Sequence, residues 1–465
     1  MPRLILFVSF YLFWRLIKRD IASRPGVSSA IWIPTIWLGI LASRPISSWI
    51  GFGGGSDTLE GSPMDRLFFF VMIFAAMIVL SRRGVLWSAV ISENWPIFLF
   101  YGFLLISVLW ANSPVSSFKR WFKEFGNIMI ALVILTEEDP LQAIRSVFVR
   151  CGYVLIPLSI IFIRWFPALG RRYNEHSGLM EATGVTFQKN SLGAMVVVCG
   201  LVIVWDWFER RQNSETQDKK AKRNENLIRV TILAIGIWLL HLSDSKTSIV
   251  ILTMGVTILT ATRFSFLRQR LSMLGVAVLV MVVGLYVADQ TFHLKEEFLS
   301  DLGRDSTLTG RTDVWRELRN VGTDPIVGTG FMSFWDDESY RAKLPYWVAF
   351  SAHNGYLETY LAGGWTGIFF LSLMLIGTGL RINQSLLWGG DYAVFRFAVF
   401  AMTVVVNYTE SNFACMTPEG FLFLLAGIGY AQTVYSVHSA AQRIKMEETA
   451  ENSDVKTATT ESARY

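Results

Sequence analysis

Charged residues are scarce in this sequence. They make up 17% of its 465 residues, whereas soluble domains carry about 25%. Hydrophobic residues reach 52% and fall in long blocks, a pattern that excludes an ordinary soluble protein. Alternating segments of about ten residues, which an outer-membrane barrel needs, are absent. The class that remains is an all-α polytopic membrane protein.

Several kinds of chemical site are also missing from the sequence. Neither a GxxxxGK[ST] nor a GxGxxG pattern occurs, so no nucleotide-binding loop is predicted. An HExxH pattern and a carboxylate–histidine cluster at metal spacing are lacking as well. Cys151, Cys199 and Cys415 lie in or beside apolar blocks without CxxC spacing and are interpreted as small core residues. We therefore predict no metal and no cofactor.

The apolar runs predict about twelve transmembrane helices. The runs are 28–43, 66–80, 95–110, 125–136, 146–166, 190–207, 227–243, 247–262, 271–288, 361–381, 393–410 and 418–437. The chain then divides into an interfacial or re-entrant segment at 1–27, nine helices over 28–288, a large external loop at 289–360, three helices over 361–437, and a disordered tail at 438–465.

The positions of the basic residues predict the orientation. Arginine and lysine concentrate in one alternating set of loops, including 208–229 and 263–270, which the positive-inside rule places in the cytoplasm together with both termini. The loops 44–65, 111–124, 167–189, 244–246 and 289–360 then lie outside. The last is too long to be structureless, and the spacing of Val314, Trp315, Leu318 and Val321 predicts an amphipathic helix within it.

Basic residues in the external loops run against the positive-inside rule and therefore need an explanation. They are Lys119, Arg120, Lys123, Arg171, Arg172, Lys189, Lys246, Arg304, Arg311, Arg316, Arg319 and Arg341. One interpretation is that long loops escape the charge rule and that residues 119–123 form an interfacial segment. The other is a shared anion site, because arginine forks and lysine charges suit phosphate. A metal-independent reaction on a lipid-bound phosphate is the chemistry consistent with this second interpretation.

The stretch from Ser351 to Leu361 carries further polar chemistry at the mouth of a predicted helix. If it is helical, His353, Tyr356 and Tyr360 share one face, and Asn354 and Glu358 share a neighbouring one. The alternative for His353 is a structural residue with satisfied hydrogen bonds.

Four elements together resemble the O-antigen ligase and polymerase superfamily. They are His353–Glu358 before Gly364–Gly367, Thr309–Trp315, Gly184–Gly193 and Ser243–Ser248. Each is weak alone, but they occur in the family's order and on the predicted external face. Within that superfamily the sequence is most similar to exopolysaccharide polymerases of the ExoQ or Wzy type.

The resemblance implies a GT-C-like membrane glycosyltransferase. It would take a glycan from undecaprenyl pyrophosphate and join it to a sugar hydroxyl of a lipid-linked acceptor, on the periplasmic face of a bacterial inner membrane. His353 matches the family's proposed base, and Arg311 matches an arginine on the pyrophosphate. A second arginine is either Arg171 or Arg172. Further substrate-binding candidates are Lys189, Lys246, Asn354, Tyr356, Glu358, Trp315 and Arg120.

Some of these candidates have structural alternatives. Asn354 is also a candidate helix cap, Glu358 a candidate structural partner, and the aromatic residues candidates for a membrane-interface belt. The expected partners are the lipid-linked donor and acceptor and membrane lipids, with a flippase and chain-length or export proteins as further candidates and without nucleic acid.

Two other functions compete with the polymerase. A ligase would use the same donor with lipid A–core as acceptor. A transporter or flippase would require ionisable residues within the spans. Arg150, Arg164 and Asp206 meet that description, but their positions suggest snorkelling to the interface rather than a relay.

Overall fold

The computed structural model describes residues 2–51, 62–173, 178–212, 219–264, 266–267, 270, 311–345, 347–348, 350–388 and 390–430. The predicted span at 271–288, the basic residue Arg304 and the predicted tail at 438–465 lie outside the described residues.

Helices make up nearly all of the regular structure. They are α1 Pro2–Ser23, α2 Trp32–Leu41, α3 Ile46–Ile50, α4 Pro63–Arg82, α5 Trp87–Glu93, α6 Trp95–Ser107, α7 Pro114–Leu135, α8 Pro140–Trp165, α9 Pro167–Gly170, α10 Lys189–Gln212, α11 Lys219–Ser243, α12 Lys246–Ala261, α13 Arg311–Asn320, α14 Glu338–Arg341, α15 Gly355–Trp388, α16 Asp391–Val406 and α17 Pro418–Gly427. Strands β1 Arg171–Tyr173 and β2 Met180–Ala182 form an antiparallel pair.

Over the described residues, five helices are long and apolar enough to cross a membrane. They lie within α4, α8, α10, α11 and α15. A sixth candidate is the pair formed by α5 and the helix from Trp95 to Trp110, which are bent by 91° with respect to each other. This set agrees with a helical membrane protein. The number of twelve spans and the GT-C-like architecture stay predictions.

Helix α10 lies at the centre of the helical bundle. In its most apolar stretch, 83% of the residues are buried, and it packs against α8, α11, α12 and α17. Trp205 stacks on Phe395 with ring centroids 4.3 Å apart. Cys199 on α10 and Cys151 on α8 are free and buried, as expected for small core residues.

A buried ionic network ties α1 to the bundle. Arg24 lies 2.8 Å from Asp206, and Arg150 lies 2.8 Å from Asp20. Arg229 reaches the second oxygen of Asp206 at 3.2 Å. Each of the five residues is at most 5% exposed, so the snorkelling interpretation is wrong for Arg150 and Asp206. Their charges are compensated by partners inside the protein.

Helix α15 is broken, and the external loop fills the break. Gly364 has φ 58°, a left-handed value that interrupts the helix. The amide of Thr329 donates to the carbonyl of Leu361 at 2.9 Å, and the amide of Trp365 donates to the carbonyl of Pro325 at 2.8 Å. The backbone groups left unpaired by the break are therefore satisfied by the loop. This fixes the loop to the membrane helix two turns after His353.

The described part of the external loop has a hydrophobic core of its own. The predicted amphipathic helix is confirmed as α13, which buries Trp315 and Leu318. The indole nitrogen of Trp315 donates to the carbonyl of Ala352 at 2.8 Å, which connects α13 to the segment before α15. The core contains Leu318, Val321, Phe334, Trp335, Ala352 and Leu361.

Candidate active site

A carboxylate between α16 and α17 is the point at which the motifs meet. Asn190 donates to Oε1 of Glu410 at 3.2 Å, and Nη2 of Arg311 donates to the same oxygen at 2.9 Å. Nδ1 of His353 lies 3.6 Å from Oε2. One carboxylate thus contacts residues from three of the four elements.

The fourth element reaches the residue before Glu410. The hydroxyls of Thr247 and Thr409 lie 3.4 Å apart. Nη1 of Arg311 donates to the carbonyl of Thr409. Thr409 and Glu410 together therefore join all four elements at one place.

His353 does not lie on a helix. Helix α15 begins at Gly355, and Oδ1 of Asn354 accepts hydrogen bonds from the amides of Tyr356 and Leu357, both at 3.0 Å. Asn354 is therefore the N-cap, which satisfies amides that have no partner within the helix. The predicted helical face shared by His353, Tyr356 and Tyr360 is wrong, because the cap ends the helix before His353.

The backbone of His353 is held in an uncommon conformation. Its φ is 47°, in the left-handed region that costs a non-glycine residue about 1–3 kcal/mol. The following residues are fixed to the Glu410 loop: the amide of Gly355 donates to the carbonyls of Asn407 and Glu410 at 2.8 and 3.0 Å. The amide of Asn354 donates to the hydroxyl of Ser411 at 3.1 Å. The surrounding structure thus places His353 beside Glu410.

The charges at this place favour an ionised Glu410. Burial alone would raise the pKa of its carboxyl, but the adjacent ring of His353 and the positive charge of Arg311 outweigh burial and hold the pKa below its ordinary value. The side chains of Arg311, Glu410 and His353 are 17%, 22% and 35% exposed. A substrate can therefore reach the histidine.

The other predicted basic residues have acidic or backbone partners. Nζ of Lys189 lies 3.0 Å from Glu181, and Nζ of Lys246 lies 2.7 Å from Asp244 on the surface. Nε of Arg171 donates to the carbonyl of Ile163 at 2.8 Å.

Arg172 and Arg120 occupy different surroundings. Arg172 faces Glu181 across the β1–β2 pair. Arg120 is buried, forms an ion pair with Asp336 and donates to the carbonyl of Met332 at 2.7 Å. Arg120 therefore joins α7 to the external loop, and its role in binding substrate stays a prediction.

Three further predicted residues use their polar atoms inside the protein. Glu358 accepts from the indole of Trp335 at 3.0 Å and from the amide of Ala352 at 2.6 Å. The hydroxyl of Tyr356 donates to the carbonyl of Val404 at 2.9 Å. Together with Trp315, these residues support the segment that carries His353, and their contact with substrate stays a prediction.

We expect Gly355→Ala to disturb the site. A Cβ at this position would lie 2.1 Å from Oδ1 of Asn407, an oxygen that accepts the amide of Asn412 at 2.8 Å. Overpacking of this kind costs about 1–3 kcal/mol, so the melting temperature of the purified protein should fall. The control is Gly102→Ala, where a Cβ would meet nothing within 4 Å and helix propensity favours alanine. Equal melting temperatures for the two variants would contradict this prediction.

Comparison with known proteins agrees with the motifs. The family model described as O-antigen ligase matches residues 231–372. Residues 231–372 therefore resemble an O-antigen ligase domain. The predicted resemblance to this family is therefore confirmed. The domain contains Thr247, Arg311 and His353, whereas Asn190 and Glu410 lie outside the matched residues.

A curated relative is similar over a longer stretch. The exopolysaccharide production protein ExoQ of Rhizobium meliloti (strain 1021) is 23% identical over 307 residues, which cover 60% of this chain and 63% of the relative. The chain thus spans less than two thirds of that protein's length. The match to the O-antigen ligase family model and the apolar helices together indicate a membrane-embedded protein.

Glu410 is absent from the predicted site residues, and so is Asn190, although Asn190 lies within the predicted element Gly184–Gly193. Glu410 is the last residue of the predicted span 393–410, and the prediction therefore assigns it to the helix. The predicted orientation places this end of the span on the same side as His353. The sequence feature that could have identified Glu410 is therefore a carboxylate at the predicted external end of a span.

Proposed function

We propose that this protein is a membrane glycosyltransferase that polymerises undecaprenyl-pyrophosphate-linked repeat units into exopolysaccharide. The observation that carries the proposal is the Glu410 carboxylate, which contacts both Arg311 and His353. The O-antigen ligase domain and the likeness to an exopolysaccharide production protein support it. The reaction would take place on the periplasmic face of an inner membrane, with both termini in the cytoplasm.

His353 acts as the general base in this proposal. Glu410 holds the Nδ1 side of the ring, so that Nε2 is the atom that accepts a proton. The acceptor hydroxyl loses its proton to Nε2 while its oxygen bonds to the anomeric carbon of the donor. The bond from that carbon to the pyrophosphate oxygen breaks, and its electron pair leaves with the pyrophosphate. The exposure of His353, 35%, leaves room for the acceptor.

Arg311 stabilises the charge that develops on the leaving pyrophosphate. A fixed guanidinium aimed at a developing oxyanion contributes several kcal/mol without reorganisation. The contact with Glu410 at 2.9 Å and the contact with the Thr409 carbonyl restrain its fork. Lys189 and Lys246 are further candidates for this charge if the pyrophosphate replaces their partners Glu181 and Asp244. The proposed reaction is metal-independent.

Arg172 is the better candidate for the second pyrophosphate contact. Successive residues of a strand point to opposite faces, and Arg172 shares its face with Glu181, the partner of Lys189. Lys189 precedes Asn190, which binds Glu410. Arg171 instead donates to the carbonyl of Ile163. The register therefore favours Arg172 over Arg171 for this contact.

We expect Arg172→Ala to lower polymer yield at least about tenfold at unchanged protein level, because it removes a charge-assisted contact. Arg171→Ala is the matched control, and we expect its polymer yield per folded protein to stay near that of the wild type. Polymer would be quantified against membrane-inserted protein in the complemented deletion strain. A larger loss of polymer in Arg171→Ala than in Arg172→Ala would assign the contact to Arg171.

The proposed function is tested by glycan analysis of a deletion strain. Secreted polymer, lipid-linked single repeats and lipopolysaccharide are resolved side by side. Loss of high-mass polymer with surviving single repeats supports the polymerase. Intact polymer that no longer appears on lipid A–core identifies a ligase, the alternative that the description of the family model favours. Unchanged glycans would contradict both and leave a transporter.

Labelling of cysteines introduced at 208–229 by an impermeant reagent in intact cells would contradict the orientation.

A further inference from the structure

A cavity of about 310 Å³ lies beside the Glu410 site. Its size is at the lower end of the roughly 300–1,000 Å³ that small-molecule sites occupy. Ser351 and Ser411 line it; the first precedes His353 by two residues and the second follows Glu410 directly. The remaining walls come from α6, α7, α15, the described part of the external loop and residues 413–416 between α16 and α17. The cavity therefore adjoins the segment that carries the proposed base.

The lining combines aromatic surface with charges of both signs. Arg120 and Lys123 face the cavity together with Glu124 and Glu358, and Arg120 is already paired with Asp336. Because Arg120 is already engaged, the cavity offers a pyrophosphate no guanidinium fork. It suits an uncharged ring that bears hydroxyls on its edge and apolar C–H groups on its faces. The aromatic residues of the lining are Phe100, Phe331, Phe334, Trp335, Phe350 and Phe413.

Glu124 provides the polar atom that lacks a partner. Its side chain is 1% exposed, and Oε2 accepts from Nδ2 of Asn127 at 3.2 Å. Oε1 is buried and has no hydrogen-bond partner among the residues that the structure describes. A buried carboxylate oxygen without a donor is costly. Glu124 lines the cavity, so a sugar hydroxyl that reaches its carboxyl group after a rotation of the side chain would supply that partner, whereas Glu358 is already engaged by Trp335 and Ala352.

We propose that this cavity binds the acceptor sugar, with a hydroxyl of the ring on Glu124 and the reacting hydroxyl toward His353. The inference rests on the proposed glycosyl transfer. It places the acceptor on the side of Ser351 and Ser411, and the donor pyrophosphate on the side of Arg311 and Lys189. His353 then stands between the two substrates, as a base for this transfer must.

The test measures acceptor binding apart from catalysis. The probe is the lipid-free and phosphate-free single-repeat oligosaccharide, released by partial hydrolysis of the producing strain's polymer. Its binding to the purified full chain in nanodiscs would be followed by saturation-transfer NMR. Glu124→Gln replaces the carboxyl group that would bind the sugar hydroxyl by an amide, and Ala362→Leu fills space at a lining residue. We expect about fivefold weaker binding for the first variant and at least about tenfold weaker binding for the second.

Two control variants should bind the probe like the wild type. Glu338→Gln changes an exposed carboxylate of α14, and Arg316→Lys changes an exposed side chain of α13. No binding to the wild type, or equal binding by all variants, would overturn the acceptor cavity and leave the proposed function standing. If the Ala362→Leu variant does not fold, probe binding by the Glu124→Gln variant alone tests the cavity. Failure of the proposed function has a different signature, which is an unchanged glycan profile in the deletion strain.

Discussion

Replacing His353 with alanine is expected to lower polymer formation about 10²–10⁴-fold, the contribution of a general base. The residue lies outside the helix, and its side chain is 35% exposed, so the variant should insert and accumulate like the wild type. The rate would be measured in proteoliposomes that contain lipid-linked repeat units. A wild-type rate at equal protein amount would show that another group accepts the proton.

The same experiment tests Glu410 as a positioning residue for His353. Glu410→Gln keeps the size of the side chain but removes the charge beside Nδ1, so the polymerisation rate should fall and its pH profile should change. Residues that act as one unit are strongly non-additive. The double variant Glu410→Gln/His353→Ala should therefore be no slower than His353→Ala alone. If the losses in rate of the two single variants multiply in the double variant, the two residues act independently. Glu338→Gln serves as the control.

The helix of the external loop was predictable because it buries one face. Trp315, Leu318 and Val321 repeat at helical spacing. Leu318 and Val321 are buried in a cluster that includes Ala352 and Leu361, and Trp315 packs against Tyr408. At His353 the same periodicity gives a wrong prediction, because spacing rules assume that the helix continues through every residue counted. Asn354 ends it, because an asparagine that accepts two amide hydrogens is a good N-cap.

Hydropathy located the helices better than it located their ends. The run 125–136 was too short for a span, whereas α7 begins at Pro114. Its first turns contain charged residues that are buried because they have partners, as Arg120 has in Asp336. The break between α5 and α6 falls at Asn94, two residues before Pro96; a proline so placed was a readable signal.

The Glu410 contacts could not be read from the sequence. Asn190, Arg311 and His353 come from separate parts of the chain, and only their packing around the loop after α16 shows that they share a carboxylate. The motifs identified three of the partners through the family resemblance. The residue that joins them lies at the end of an apolar run, where a hydropathy profile gives it no weight.

Arg311→Ala is expected to lower the polymerisation rate about 10²–10³-fold, the cost of removing one donor from a developing oxyanion. Arg311→Lys should lie close to it, because a lysine keeps the charge but cannot place one nitrogen on Thr409 and another on Glu410 at 2.9 Å. The control is Arg316→Lys on the same helix, where the arginine side chain is 66% exposed. A wild-type rate for Arg311→Lys would mean that charge alone suffices. A wild-type rate for Arg311→Ala would remove this arginine from the pyrophosphate and leave its contact with Glu410 purely structural.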